Sequence, residues 1–201
     1  MKPITRYLVA ALLTATLAPD AVAQSSTNTW TIDPNHTAAQ FAVRHLLVST
    51  VRGNFEKVSG TIQYDGKDIR TLAVQVTIDA ASVNTRVAMR DDDLRSANFF
   101  EVAKYPTITF VSKKADLVDD GQFKLTGDLT IRGVTREVVL EVEGPMVPMK
   151  QGSMLRTGAS ATTRINRRDF GLLYGKLVEG AAVVGDEITI TIDIEAVRRA
   201  N

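Results

Sequence analysis

The chain contains no cysteine. Disulfides, thiolate nucleophiles and cysteine-held metal sites are therefore excluded, and stability must rest on packing and hydrogen bonding. Histidine is almost missing as well: His36 and His45 are the only two in 201 residues. No G-x-S-x-G elbow, phosphate-binding loop or G-x-G-x-x-G fingerprint occurs, so the sequence offers no positive sign of an enzyme. An excess of either charge is also lacking. Setting aside Lys2, Arg6 and Asp20 in the first 23 residues leaves 22 basic and 22 acidic side chains. That balance argues against a nucleic-acid binder, which needs a basic surface, and against general adhesion to anionic membranes.

A long hydrophobic run is absent too. The apolar stretch LVAALLTATLA, residues 8–18, has 11 residues, whereas a helix needs about 20 to cross a bilayer. With basic residues before it and a small-x-small ending at Ala21–Ala23, it reads as a secretory signal peptide cleaved after Ala23. No cysteine follows that could carry a lipid anchor. The expected organisation is a signal peptide over 1–23, a flexible lead-in over 24–28 and one domain over 29–201. The expected location is the periplasm or the exterior.

What the chain does have is alternation. Leu72, Val74, Val76 and Ile78 alternate with polar or small residues, as do Phe123, Leu125, Leu129 and Ile131, and Ile188, Ile190, Ile192 and Ile194. A period of two gives one buried and one wet face, which is the behaviour of antiparallel sheet. Further strands are expected near 29–33, 37–46, 55–65, 107–116, 134–143 and 155–165, with turns at Asp65-Gly66, 119–121 and Arg132-Gly133. About eight strands with few helical windows predict a sandwich or a barrel, and closure into a barrel removes the exposed edges of long strands. The stretch 87–106 predicts one or two short helices ended by Pro106, and 164–187 a long loop with a helical turn. A transmembrane barrel would carry aromatic girdles. Only 6 % of the residues are aromatic, which favours a barrel with its apolar face inward and no membrane span.

His36 and His45 are nine residues apart. In one straight strand they face opposite sides and lie roughly 30 Å apart, so a shared metal site is not expected, and no metal is assigned. His36 follows the turn-forming Asp33-Pro34-Asn35 and is expected to bond a nearby backbone group. His45 shares a face with Phe41 and Val43 and is expected in the core, at the rim or in a cavity wall. In MRDDDLRS, 89–96, Asp91 and Arg95 stand at i and i+4, as in a salt-bridged helix. The rival reading is a charged rim at a barrel mouth, and a calcium loop is disfavoured by its lack of alternating ligands. In NRRDFG, 166–171, a turn with a core-plugging Phe170 competes with an anion contact through Arg167.

Seven short motifs in order resemble the YceI-like family of exported polyisoprenoid-binding proteins. They are Trp30 to His36 (W-x-I-D-x-x-H), Phe41 to Leu46 (F-x-V-x-H-L), Val51 to Phe55 (V-R-G-x-F), Leu94 to Phe100 (L-R-S-x-x-F-F), Tyr105 to Phe110 (Y-P-x-I-T-F), Gly127 to Thr135 (G-D-L-T-I-R-G-V-T) and Ile165 to Gly171 (I-N-R-x-D-F-G). One departure is Asp93, where the family pattern often has His, so head-group contacts are expected to differ. The resemblance implies a mainly β protein, an eight-stranded antiparallel lipocalin-like barrel with one or two short helices. It implies a non-catalytic carrier, store or sensor for an isoprenoid lipid of polyprenyl phosphate or quinone type, commonly a homodimer, without a cofactor.

Inward positions Phe41, Val43, His45, Val74, Val76, Phe110, Leu125, Ile190 and Ile192 would then form a cavity wall, widened by Ala159 and Ala161, with Arg90, Arg95 and Arg167 at a head-group rim. Two rival readings are a lipid-directed hydrolase using His45 and a solid-cored partner-binding module.

Overall fold

The computed structural model describes residues 28–175, 177–178 and 180–200. The expected signal peptide and most of the lead-in lie outside the described residues. The strands are β1 (Thr29–Ile32), β2 (Ala38–His45), β3 (Ser49–Phe55), β4 (Val58–Gln63), β5 (Ala73–Asp79), β6 (Val83–Asn84), β7 (Thr107–Asp119), β8 (Gln122–Ile131), β9 (Val134–Glu143), β10 (Met149–Gln151), β11 (Met154–Asn166), β12 (Leu177–Val178), β13 (Ala181–Ala182) and β14 (Val184–Arg199). One helix, α1 (Ala88–Arg95), and three 3-10 turns accompany them.

The barrel closes through β14. On one side β14 pairs with β11, from Met154 opposite Arg199 to Asn166 opposite Glu187. On the other side it pairs in succession with β1 and β2, which follow one another along the same edge. β3 and β4 likewise run in succession, against β2 and β1. Counting each succession as one strand, the order around the barrel is β1/β2, β3/β4, β5, β7, β8, β9, β11 and β14, all antiparallel. This is the closed eight-stranded antiparallel barrel that the resemblance implies, where the alternation allows a sandwich or a barrel. Among the described residues no helix is long and apolar enough to cross a membrane.

Closure explains the alternation physically. Phe123, Val142, Ala161, Ile192, Ala39 and Phe55 stand opposite one another in one register row across six strands. An inward residue in one strand therefore forces inward residues beside it in the next. The turns behave as their residues require: Arg132 and Gly133 take φ of 49° and 72° in the β8–β9 connection, and Gly121 takes 68° between β7 and β8.

Three expectations need correction. β3 was not expected, because Gly53 stands at one of its inward positions and hides the period. A side-chain carbon there would come within 2.5 Å of Phe41 Cζ, so the Phe41 ring fills the place a Gly53 side chain would take. The segment 87–106 holds one helix, which ends at Arg95 and not at Pro106, and turns follow it. Within that helix Asp91 does not pair with Arg95. Asp91 is buried and accepts hydrogen bonds from the Thr85 backbone N–H (2.8 Å) and hydroxyl. Arg95 pairs with Asp92 at 3.1 Å instead. Thr85 precedes the helix and needs an acceptor for its N–H, and Asp91 is the acid whose face meets it.

Candidate functional site: an apolar cavity in the barrel

The inward faces enclose a cavity of about 230 Å³. Phe41 and Val43 of β2, Val74 and Val76 of β5, Phe110 of β7, Leu125 of β8, Ala159 and Ala161 of β11, and Ile190 and Ile192 of β14 all line it. The remaining strand faces add residues such as Ile62, Leu140 and Ile188. Bulk is uneven around the wall. On β11, Ala159 and Ala161 stand opposite Ile194 and Ile192 of β14, so the small residues leave width on that side.

One end is covered by residues the alternation could not identify. At the end holding the β2–β3 turn, Leu94, Phe99, Phe100 and Leu172 cover the interior. Phe100 meets Phe55 edge-on at 5.7 Å between ring centroids, and Phe55 meets Phe41 at 5.8 Å, giving a chain of aromatic contacts down from that end. The L-R-S-x-x-F-F motif was the available signal for this cap, but its residues come from a non-periodic segment. At the other end Trp30 and Tyr64 reach the cavity, and the Arg198 guanidinium lies 4.8 Å from the Trp30 ring.

His45 does not line the cavity. Its alternation with Phe41 and Val43 is correct in sense, but it is the last residue of β2, opposite Ser49 and Val184, and lies past the lining residues of its own strand. Among the described residues it has no hydrogen-bonded acid or hydroxyl.

The three arginines bind the protein's own backbone. Arg90 donates to the Thr85 hydroxyl at 2.7 Å and carbonyl at 2.9 Å. Arg95 donates to the carbonyls of Ala81 and Val83, both at 2.8 Å. Together they tie α1 to the segment around β6. Among the described residues Arg167 is the one charged residue lining the cavity, and it is 2 % exposed. It donates to the carbonyls of Gly185 (2.9 Å), Val184 (3.3 Å) and Leu172. Its Nη2 also lies 2.8 Å from Asp186 Oδ1, which Arg168 approaches equally. Those two contacts are ion pairs without hydrogen-bond alignment, since Asp186 Oδ1 has no hydrogen-bond donor. Burial pushes the Arg167 pKa down and Asp186 opposes that shift, but a guanidinium stays charged at any physiological pH.

His36 does not meet its expectation either. Its ring Nδ1 lies 3.1 Å from the Asp33 carboxylate, not on a backbone group, and 3.8 Å from Glu195 of β14. These three donor atoms lie within 4.8 Å of one another, a grouping that histidine spacing does not show because Glu195 arrives from the far end of the chain. Arg156 Nη1 pairs with both carboxylates, at 3.1 Å to Asp33. The Arg156 guanidinium already supplies the positive charge that a metal ion would bring to the two acids.

The Asn35 N–H, His36 and Arg156 hold the Asp33 carboxyl below its usual range. Its folded pKa is thus lower than its unfolded one, about 3.9. The linked stabilisation is fully present above that unfolded value and is lost as pH falls through the folded one. Below pH about 4 the melting temperature of the wild type should therefore fall more steeply than that of Asp33→Asn. Parallel curves in a thermal melt series would show that this cluster contributes nothing.

Residues 30–196 match the YceI-like domain family. A UPF0312 protein of Staphylococcus aureus is 33 % identical over 169 residues, covering 83 % of this chain and 95 % of that protein. Among solved structures, the Campylobacter jejuni YceI protein is 33 % identical, with a TM-score of 0.66 over 79 % of this chain and 90 % of its own. Burkholderia cenocepacia BcnA shares the fold with a TM-score of 0.71 at 23 % identity, over 82 % and 98 %. A polyisoprenoid-binding domain from Saccharophagus degradans shares it with a TM-score of 0.61 at 18 % identity, over 83 % and 97 %. The closed barrel, its apolar interior and the match along nearly all of the described residues agree: the chain belongs to the YceI-like domain family.

Proposed function

We propose that this protein is an exported, non-enzymatic lipid-binding protein. It holds an isoprenoid chain of polyprenyl phosphate or quinone type in the barrel cavity, as carrier, store or sensor, and works in the periplasm or outside the cell as a homodimer. The observation that carries this reading is the cavity itself. Its wall is apolar along every strand, and its one charged lining residue has its donors directed at carbonyls. Such a space rewards an apolar chain, at roughly 0.8 kcal/mol per buried CH₂. A fold neighbour is described as polyisoprenoid-binding, which supports the choice of isoprenoid. The N-terminal segment that reads as a signal peptide supports export.

A hydrolase acting through His45 would need that residue beside the bound chain, and it lies beyond the lining. A solid-cored module would have no cavity. The test uses the chain's single tryptophan, Trp30, which lines the cavity. Addition of a polyprenyl phosphate or a quinone should change its fluorescence saturably, and organic extracts of the purified protein should contain an isoprenoid by mass spectrometry. No lipid in the extract together with no fluorescence response would sink the proposal.

A further inference from the structure

The β2–β3 connection is the three residues 46–48, with a tight turn centred on Leu46 and Leu47. Leu46 and Leu47 have φ of 48° and 63°, and the Val48 N–H donates to the His45 carbonyl at 3.1 Å. Two successive positive φ values define a type I′ turn, for which Asn-Gly is the favoured pair. Leucine is poorly suited, because its Cβ crowds the following carbonyl in the left-handed region. Burial does not compensate, since Leu47 is 68 % and Val48 79 % exposed. Leu46 is half-buried, but neither local propensity nor core packing accounts for Leu47 and Val48 at this apex, so a cost is borne there for another purpose.

The surroundings point to that purpose. Arg44 donates to the Leu47 carbonyl at 2.8 Å and braces the turn. Arg52 stands opposite Ala42, two residues from Arg44, so both arginines project from the outward face of the hairpin. Among the described residues neither is paired with a carboxylate. The Leu46 N–H donates to the Val183 carbonyl at 3.2 Å, beside the β12–β13 hairpin whose Leu177 is 63 % exposed. Leu177 pairs across that hairpin with Ala182, next to Val183. At the base of the β2–β3 hairpin, Val43 and the neighbouring Val184 already line the cavity.

We infer that this end of the barrel docks on a lipid bilayer carrying anionic headgroups. Leu47, Val48 and Leu177 enter the headgroup boundary, and Arg44 and Arg52 meet the phosphates. The inference rests on the lipid-carrying reading, because docking here sets the cavity end against the membrane from which an isoprenoid is drawn. A second copy of the chain fits this tip less well. Two-fold pairing through the apex would bring the unpaired arginines of one copy toward those of the other. The balanced charge of the whole domain does not conflict, since contact through a small tip depends on local charge within a Debye length, about 8 Å.

The experiment is co-sedimentation of the mature protein with vesicles of phosphatidylglycerol and phosphatidylethanolamine, and separately of phosphatidylcholine. The wild type should sediment with the anionic vesicles and weakly with the neutral ones. Replacing Leu46→Asn together with Leu47→Gly supplies the residues the turn prefers. That variant should melt at the same or a higher temperature, keep its polyprenyl phosphate uptake from detergent, and bind anionic vesicles at least tenfold more weakly. Arg52→Glu should weaken binding to the anionic vesicles alone.

The docking inference is overturned if the wild type ignores both vesicles, or if the Asn-Gly variant binds as the wild type does. It is also overturned if gel filtration shows that the turn change splits a dimer while vesicle binding is absent throughout. A wild type that takes up polyprenyl phosphate from detergent but ignores vesicles loses only the docking inference. Failure of uptake itself removes the carrier reading.

Discussion

Ala161→Phe is expected to lower isoprenoid affinity by two to three orders of magnitude while the barrel stays folded. Ala161 lines the cavity in the register row between Val142 and Ile192, on the side of the wall that lacks bulk. A phenyl ring there fills space that about one five-carbon unit of the chain would occupy. Five carbons at roughly 0.8 kcal/mol each amount to about 4 kcal/mol of transfer free energy. Since 1.4 kcal/mol is a factor of ten in affinity, the ceiling is close to a thousandfold. Partial relocation of the chain lowers that to the range stated.

Stability should change little. Burying the ring contributes roughly 1.5–3 kcal/mol, and overpacking costs about 1–3 kcal/mol, so the two offset one another. Val139→Phe, on the exposed face of β9, is the matched control and should bind as the wild type does. The Trp30 titration reads all three, and an unchanged affinity for Ala161→Phe would mean that the chain does not occupy this cavity.

Ala161 was readable from sequence because it sits in a strand. Where outward Thr, Asp and Glu alternate with inward aliphatics, as in β5, β8 and β14, the alternation fixes the side of the sheet and closure does the rest. Ten wall residues named from alternation therefore line one cavity. Alternation carries no information about depth, which is why His45 has the right sense and the wrong level. Nor does it identify an inward glycine: Gly53 concealed β3 because the Phe41 ring, not its own side chain, fills the interior there. The end cap lies in α1 and in the loops after it and after β11, where no period exists. The partners of the charged residues were least legible. Asp91 chose Thr85 over Arg95, and His36 met Glu195, because such choices depend on segments brought together from 6 to 159 residues away in the chain.

Arg167 shows the same limit with the largest consequence for folding. From sequence, a head-group contact competed with a turn-fixing role. The structure aims its guanidinium at the carbonyls of Leu172, Val184 and Gly185 and beside Asp186, so it joins the turn after β11 to the start of β14. The two strands it joins form one of the barrel's longest pairings. Replacing it by Met leaves those carbonyls without their charged donor in a nearly dry site, and breaking a buried ionic network of this kind costs about 3–5 kcal/mol. For a domain whose total stability is about 5–15 kcal/mol, that loss lowers the melting temperature by about 6–20 °C.

Arg167→Lys should recover only part of it, because an ammonium cannot reproduce the planar fork that reaches three carbonyls at once. The two roles predict different patterns. If Arg167 is structural, both variants lose stability, while the variant that still folds keeps the same ratio of affinities for a polyprenyl phosphate and the corresponding uncharged alcohol. If it holds a phosphate, that ratio collapses in Arg167→Lys while its melting temperature stays near the wild type. The first pattern is the expected one. It would place recognition of any polar head elsewhere on the protein and leave the interior to read only the chain.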